Sequence, residues 1–410
     1  MRVLLLNQFY PPDIAPTGRV LHDLGRALAL RGHDVQVICS RGSYEGGQRF
    51  AAHETFDGVT VHRLPAFGFG RRGFAGKLAD YASFYTLLAT RLLFMHWHPD
   101  VILSLTTPPY LGLLGKYAAA WHRGRHLHWI MDIYPDVMNA HGMASRNGLL
   151  YRGLQTLTRR QLEGATLAIT LGPCMAERVA SYMNGDLPVG TIQAVPLWGD
   201  PALVPWPVGQ PNPLREQRGW GEEELVLMYS GNMGLGHRFE EFVAGAARLG
   251  SSGPRWVFVG GGKRRSELEA LALAKPSARI EFLPYVPREH LCASLCSADL
   301  HLVSLDSAWQ GLMVPSKLQE IFALGKPVLF VGGRKNEIAA WIEESGGGWC
   351  VAENDIEGLL AAISQAGNRD ERERRGRAAL AFARAHFDMR KNCDRLVRAI
   401  EDNGAIVSSQ

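Results

Sequence analysis

Val314-Pro315-Ser316-Lys317-Leu318-Gln319-Glu320 is the segment of this chain whose residue types and spacing best suit a phosphorylated ligand. A proline at the start of a helix leaves the first amides free for an anion, and the Ser316 hydroxyl adds a donor beside them. Lys317 brings positive charge. Glu320, about one turn on, is spaced to accept hydrogen bonds from ribose hydroxyls. The amides of Met313 and Val314 fall in the same cradle. A solvated amphipathic helix ended by Gly325 also fits Gln319 and Lys326, but it gives no reason for the Pro-Ser-Lys start.

A second segment, Gly231-Asn232-Met233-Gly234-Leu235-Gly236-His237-Arg238, is a glycine-rich loop leading from a strand into a helix. Such a backbone can approach phosphate closely, and Arg238 offers charge, although an exposed arginine without a ligand is the plainer reading. The spacing is not G-x-G-x-x-G, and no acidic ribose partner stands at the usual distance, which disfavours a dinucleotide site. Gly18, behind Pro11, Pro12 and Pro16, opens a similar but weaker loop, whose amides would face a diphosphate.

Asp132 ends the strand-like His128-Trp129-Ile130-Met131. There it can accept a hydrogen bond from a hydroxyl, or act as a base if its pKa is raised; capping the turn before Tyr134-Pro135 is the competing role. His141 and His237 are further candidates. The chain contains no D-x-D, so no metal-binding carboxylate pair is expected. Leaving-group charge then falls to helix N-termini and basic groups.

These segments need scaffolds. At 410 residues the chain exceeds the roughly 250–300 residues that one core serves, so two domains are expected. Short runs rich in Val, Ile and Leu alternate with helical patterns, the signature of βαβ units and parallel sheets. Strands are expected at Val3–Asn7, Val35–Cys39, Val59–Arg63, Val101–Leu105, Leu127–Met131 and Ala165–Thr170, forming one doubly wound domain. A proline-rich stretch from Val195 to Trp220 reads as a linker. Beyond it a second set begins at Leu225–Ser230, giving an α/β fold of two Rossmann-like domains, residues 1–198 and 199–384, followed by a helical segment over 385–410.

Hydrophobic residues make up 46% and charged residues 20%, the balance of a globular protein. The net charge is +4, and the first 200 residues carry 19 basic against 14 acidic side chains. That bias is too scattered for a nucleic-acid footprint but suits an anionic leaflet. Six sparse cysteines without ligand spacing point to a reduced cytosol. The first residues read straight into a strand with no leader, and the apolar run Tyr81–Met95 falls short of a bilayer span.

Taken together, the strand-one loop with Gly18, the segment Thr106-Thr107-Pro108-Pro109, Asp132-Ile133-Tyr134-Pro135-Asp136, Gly231-Asn232, Pro315-Ser316-Lys317 with Glu320, and Gly325-Lys326-Pro327-Val328 resemble the family 4 glycosyltransferases, in the branch of the colanic-acid and O-antigen enzymes. The resemblance covers essentially the whole chain. It implies a GT-B fold, with the acceptor on the first domain, the nucleotide on the second, catalysis in a cleft between them and the helical segment over 385–410 returning to the first domain. It also implies that the amides around Gly231, Asn232 and Gly234 and around Val314, Pro315 and Ser316 hold a diphosphate, that Glu320 holds the ribose, and that Tyr285 and Val286 line the base. Asp132 and Glu320 then carry the chemistry, with Thr107, Pro108 and Tyr134 on the acceptor side. Transfer would retain the anomeric configuration and need no metal or cofactor, with a UDP-sugar the favoured donor.

Two departures stand out. Family members often place a Glu eight positions before the ribose Glu, where this chain has Leu312, and an Arg and a Lys where it has Asn232 and His237. For the acceptor, Phe67, Phe69, Arg71, Arg72, Phe74 and Lys77 suit an interfacial, polyprenyl-pyrophosphate-linked glycan at the inner face of the plasma membrane. The competing reading packs Phe84, Leu87, Leu88 and Leu92 against the sheet. A nucleotide-sugar 2-epimerase, a non-catalytic nucleotide-sugar-binding partner and a natural-product acceptor stay open.

Overall fold

The computed structural model describes residues 1–44, 46–69, 73–183 and 191–402. The chain divides into two compact units, one of Met1–Val195 together with the chain from Arg390 onward, the other of Pro196–Met389.

In the first unit the strands are β1 (Arg2–Leu6), β2 (Asp34–Ser40), β3 (His53–Phe56), β4 (Val59–Leu64), β5 (Val101–Ser104), β6 (Arg125–Trp129), β7 (Leu167–Thr170) and β8 (Ile192–Ala194). They lie in the order β3-β4-β2-β1-β5-β6-β7-β8, parallel except for β3 against β4. β1 is central and apolar, with Val3 to Leu6 fully buried, as a strand covered on both faces must be. Around the sheet stand α1 (Pro16–Leu30), α2 (Gly73–Leu93), α3 (Leu111–His122), α4 (Asp136–Ala140), α5 (Leu149–Leu162) and α6 (Pro173–Ser181). Phe84, Leu88 and Leu92 of α2 are buried in the core with Leu4 and Ile102, and Leu87 packs partly against it, so the sheet-packing reading of this helix holds.

β3 pairs antiparallel with β4, and its largely exposed polar HETF sequence carries no apolar signal. Its hairpin is readable elsewhere, in Asp57-Gly58, both with positive φ, the dipeptide that two-residue hairpin turns prefer. The closing helix, Met389–Glu401, belongs to this first unit. Glu401 pairs with Arg31 at 3.0 Å and lies 2.9 Å from His33, and the Arg125 guanidinium donates to the Ile400 carbonyl at 2.8 Å.

In the second unit β9 (Val226–Ser230), β10 (Arg255–Val259), β11 (Ile280–Leu283), β12 (Leu300–Leu305), β13 (Val328–Gly332) and β14 (Gly348–Val351) form an all-parallel sheet in the order β11-β10-β9-β12-β13-β14. That is the Rossmann order, in which ligands bind beyond the strand ends where the winding reverses, here between β9 and β12. The corresponding reversal in the first unit lies between β1 and β5. Among the described residues no helix is long and apolar enough to cross a membrane.

Asp136 locks the helices behind β6 and β7. Its fully buried carboxylate accepts from Tyr151 at 2.8 Å and from Tyr182 and Arg178. Replacing it with asparagine leaves the Arg178 guanidinium without a countercharge, which costs about 3 kcal/mol when a buried pair is broken. Asp136→Asn is therefore expected to lower the unfolding free energy measured in urea by about that amount, with a lower midpoint; an unchanged midpoint would show that the network carries no stability.

Candidate functional site

The loop after β9 sits at the reversal point of the second sheet. Gly231 has φ +122°, a conformation closed to most side chains. Its amide donates to the Val259 carbonyl at 2.9 Å, and the Met233 amide donates to Gly261 at 2.7 Å. Among the described residues the loop amides with no acceptor are those of Asn232, Gly234, Leu235 and Gly236, a narrower set than the loop sequence suggests. The Tyr229 ring is fully buried, and its hydroxyl donates to the Asn232 carbonyl at 2.8 Å, fixing the loop from beneath.

Across this loop stands the helix Lys317–Ala323, starting two residues later than its Pro315 suggests. The Leu312 amide bonds to Trp309, while among the described residues the amides of Met313, Val314, Ser316 and Lys317 have no backbone acceptor. Pro315 has no N–H to offer. Ser316 caps the helix without a side-chain hydrogen bond, which leaves its hydroxyl for a ligand. Lys317 is turned inward rather than into solvent: its buried Nζ has no hydrogen-bond partner and lies 3.6 Å from the Tyr229 ring centroid. Burial pushes this lysine well below its ordinary range, and the nearby Glu320 carboxylate opposes that shift. Leu312 is 2% exposed, a core side chain with no polar group for a sugar.

Several expected contacts come out differently. The Arg238 guanidinium bonds Glu241 at 2.9 and 2.6 Å, Asn354 at 3.1 Å and Asp306 at 3.5 Å, so acids of its own unit already neutralise it. His237 is buried, with Nδ1 2.7 Å from the Ser304 carbonyl; burial first, then the charge of Lys317, lowers its pKa to about 3, and the ring is neutral. Val286 turns inward against the core around Trp220 and Val226, whereas Tyr285 stays 60% exposed with its hydroxyl on the Gly261 carbonyl. Tyr285 alone of that pair presents a face for a base. In the first unit the Gly18 amide donates to Ala15 at 3.0 Å, and a Cβ there would meet the Phe9 carbonyl oxygen at 3.1 Å. Gly18 is small because two backbone segments touch, and its N–H is not free for an anion.

Asp132 lies at the end of β6, half-buried. Its amide and that of Met131 donate to Thr106 Oγ1 at 3.3 and 3.1 Å, and the Thr107 carbonyl takes the Gln8 amide at 2.8 Å. Thr106 therefore braces the loop beyond β6 and Thr107 the loop beyond β1; the Thr107–Pro108 bond is cis. α4 begins at Asp136 with Pro135 as its cap and no side-chain cap bond, so Asp132 is not a helix cap. Burial raises its carboxyl to about 6. Burial raises the Tyr134 and Tyr81 phenols, and the Asp132 charge adds to both shifts; Tyr110 lies 6.3 Å from Tyr134 between ring centroids. This tyrosine wall gave no sequence signal, since its members come from α2, the loop after β5 and the loop after β6.

His128 is fully buried, Nδ1 3.1 Å from Ser104 Oγ, and burial lowers its pKa to about 4; it is a structural histidine. Phe67 and Phe69 are 55% and 45% exposed and are tied to α2, where their amides bond Ser83 and Asp80. Arg71 and Arg72 lie outside the described residues, as does the side chain of Phe74.

Residues 17–198 match the Glycosyl transferase 4-like domain family, and residues 224–368 match Glycosyl transferases group 1. The chain is 25% identical over 385 residues to WcaI, a putative colanic acid biosynthesis glycosyl transferase of Escherichia coli (strain K12), covering 89% of this chain and 92% of that one. Among solved structures it resembles sucrose-phosphate synthase of Thermosynechococcus elongatus, with TM-score 0.75 and 16% identity over 98% of both chains. It also resembles HepE of Anabaena in complex with UDP, with TM-score 0.68 and 15% identity over 98% of this chain and all of that one. These likenesses establish the fold as GT-B.

A carbon-detected NMR titration of the Asp132 carboxyl, assigned by its loss in Asp132→Asn, is expected to show a midpoint near pH 6. A midpoint near the ordinary value of about 3.9 would mean the group is open to water and not tuned by its site.

Proposed function

We propose a reaction from the premise that the chain belongs to the family 4 glycosyltransferases and is an enzyme of that kind: it moves a sugar from a nucleotide diphosphate-sugar, with UDP as the favoured carrier, to a lipid-linked glycan of cell-surface polysaccharide. The observation that carries the donor side is the pairing of free amides at Asn232, Gly234, Ser316 and Lys317 with the buried Lys317 Nζ, which has no hydrogen-bond partner. Free amides at a helix start and a lysine nitrogen without a partner suit a diphosphate. Glu320, on the next turn, takes the ribose hydroxyls, and Tyr285 offers its exposed face to the base. The resemblance to HepE, solved with UDP, supports the choice of base.

On the acceptor side Asp132 accepts a hydrogen bond from the attacking or donor-sugar hydroxyl, and Tyr134 walls the space beside it. As the family resemblance favours, the departing diphosphate takes the acceptor proton on the face it leaves, so configuration is retained. The leaving charge falls on protein groups, and no metal is required. The likeness to WcaI supports a cell-surface glycan acceptor. Exposed Phe67 and Phe69 support peripheral contact with the inner leaflet.

Purified chain given radiolabelled UDP-, GDP- and ADP-hexoses with polyprenyl-diphosphate-linked sugars is expected to move label from a UDP donor into the butanol phase, undiminished by EDTA. The rate should fall below about pH 6 as Asp132 takes a proton, and Asp132→Asn should lose this limb together with about a hundredfold or more of the rate. Epimerised nucleotide sugar as the sole product, or transfer that requires a divalent cation, would contradict the proposal.

A further inference from the structure

A nucleoside diphosphate brings several negative charges to the loop after β9, and the arginines around that loop are committed elsewhere. Arg238 is held by Glu241 and Asp306. Arg264 donates to the His237 carbonyl at 2.5 Å and pairs with Glu240 and Glu267, and Arg265 pairs with Glu269 at 2.8 Å. His237 gives its Nδ1–H to Ser304, which leaves a neutral ring only a lone pair at Nε2. Lys317 is in a different position. Its Nζ is buried without a partner against the Tyr229 ring, and a Cβ on Gly231 would stand 2.9 Å from its Cε and 3.4 Å from its Nζ. The side chain therefore reaches the strained glycine at which the loop turns. A buried ammonium without a partner is costly, and desolvation draws this lysine toward its neutral amine.

We propose that Lys317 is the cation that holds the donor diphosphate, and that it takes up the proton it needs from solvent as the nucleotide binds. The inference rests on the nucleotide-diphosphate-sugar reading above. The step is a simple protonation: the amine nitrogen gains one proton from water, no bond to phosphorus changes, and the proton returns to solvent when the nucleoside diphosphate leaves. Tyr229 faces the group from β9, with its phenol held on the Asn232 carbonyl. His237 faces it from the loop, neutral and electrostatically coupled to it. Glu320 lies along its own helix, Arg264 stands behind His237, and Tyr285 covers Gly260 and Gly261. Of these only Glu320 favours the ammonium before a ligand arrives, so the phosphate is the countercharge that completes the site.

The sign follows from linkage. A group that is more basic in the complex than in the free protein makes binding weaken as pH rises between its two pKa values, by up to about tenfold per pH unit. Calorimetric titration of UDP into the full chain in Hepes, Tricine and Tris counts the protons exchanged, because the three buffers differ in ionisation enthalpy. Near pH 8 the terminal phosphate, with its last pKa of about 6, is already ionised. Uptake approaching one proton per UDP is expected. Lys317→Met, checked for folding by its melting curve, should abolish the uptake and weaken binding about tenfold or more. Lys317→Arg should bind without uptake, since guanidinium is always charged. Tyr285→Ala should bind more weakly with uptake intact. Wild-type binding with no proton uptake, or uptake that survives in Lys317→Met, would overturn the inference alone. Failure of UDP, GDP and ADP all to bind would remove the donor reading and this inference with it.

Discussion

A parallel sheet wound outward in both directions from one pair of strands leaves the connections of that pair running apart, and a crevice opens beyond their ends. Both units of this chain obey that constraint, at β1 and β5 in the first and at β9 and β12 in the second. Every group with chemical potential lies on a loop leaving these strands or their neighbours. Asp132 follows β6, the Thr106–Pro109 turn follows β5, the Gly231 loop follows β9, and the Lys317 helix follows β12. The apolar strands, buried on both faces, hold these loops rigidly enough for a few polar atoms to matter.

Within the second unit the consequence is electrostatic. Tyr229 is buried beneath the glycine loop, spends its hydroxyl on the Asn232 carbonyl and offers its ring face to Lys317. An aromatic face attracts a cation, while desolvation draws the lysine toward its neutral amine. Arg238, a more obvious basic residue in the sequence, is neutralised by Glu241 and Asp306. The charge available to an incoming anion is thus set by the pairing of each cation with its neighbours more than by the number of cations. The first unit shows the same principle with opposite sign: Asp136 is fully buried but surrounded by donors, while half-buried Asp132, which has no such donors among the described residues, has its carboxyl raised by burial.

The α/β class, the two units and most strands were legible because fully buried parallel strands are written as short Val, Ile and Leu runs. β3 and β8 were not, since an exposed HETF edge and a three-residue strand lack that signature. The glycine turn at Gly231 and the helix start near Pro315-Ser316-Lys317 were legible, because the turn needs a residue tolerant of positive φ and the helix start favours a proline. The fates of Gly18, Arg238 and Val286 were not legible. Whether a glycine's amide is free or a guanidinium paired depends on the local geometry at Ala15 and Glu241, three positions away, and whether a valine turns inward depends on Trp220, a partner that only folding brings near. The inward turn of Lys317 onto Tyr229 was hidden for the same reason, 88 positions separating the two in the chain.

A crystal structure of the chain soaked with UDP tests the central claim most directly, because the position of the diphosphate decides which groups bear its charge. The account predicts phosphate oxygens within hydrogen-bond distance of Lys317 Nζ and of the Asn232, Gly234 and Ser316 amides, with the Arg238 guanidinium still on Glu241. A diphosphate bound instead by Arg238 released from Glu241, with Lys317 still folded onto Tyr229 and out of reach, would contradict it.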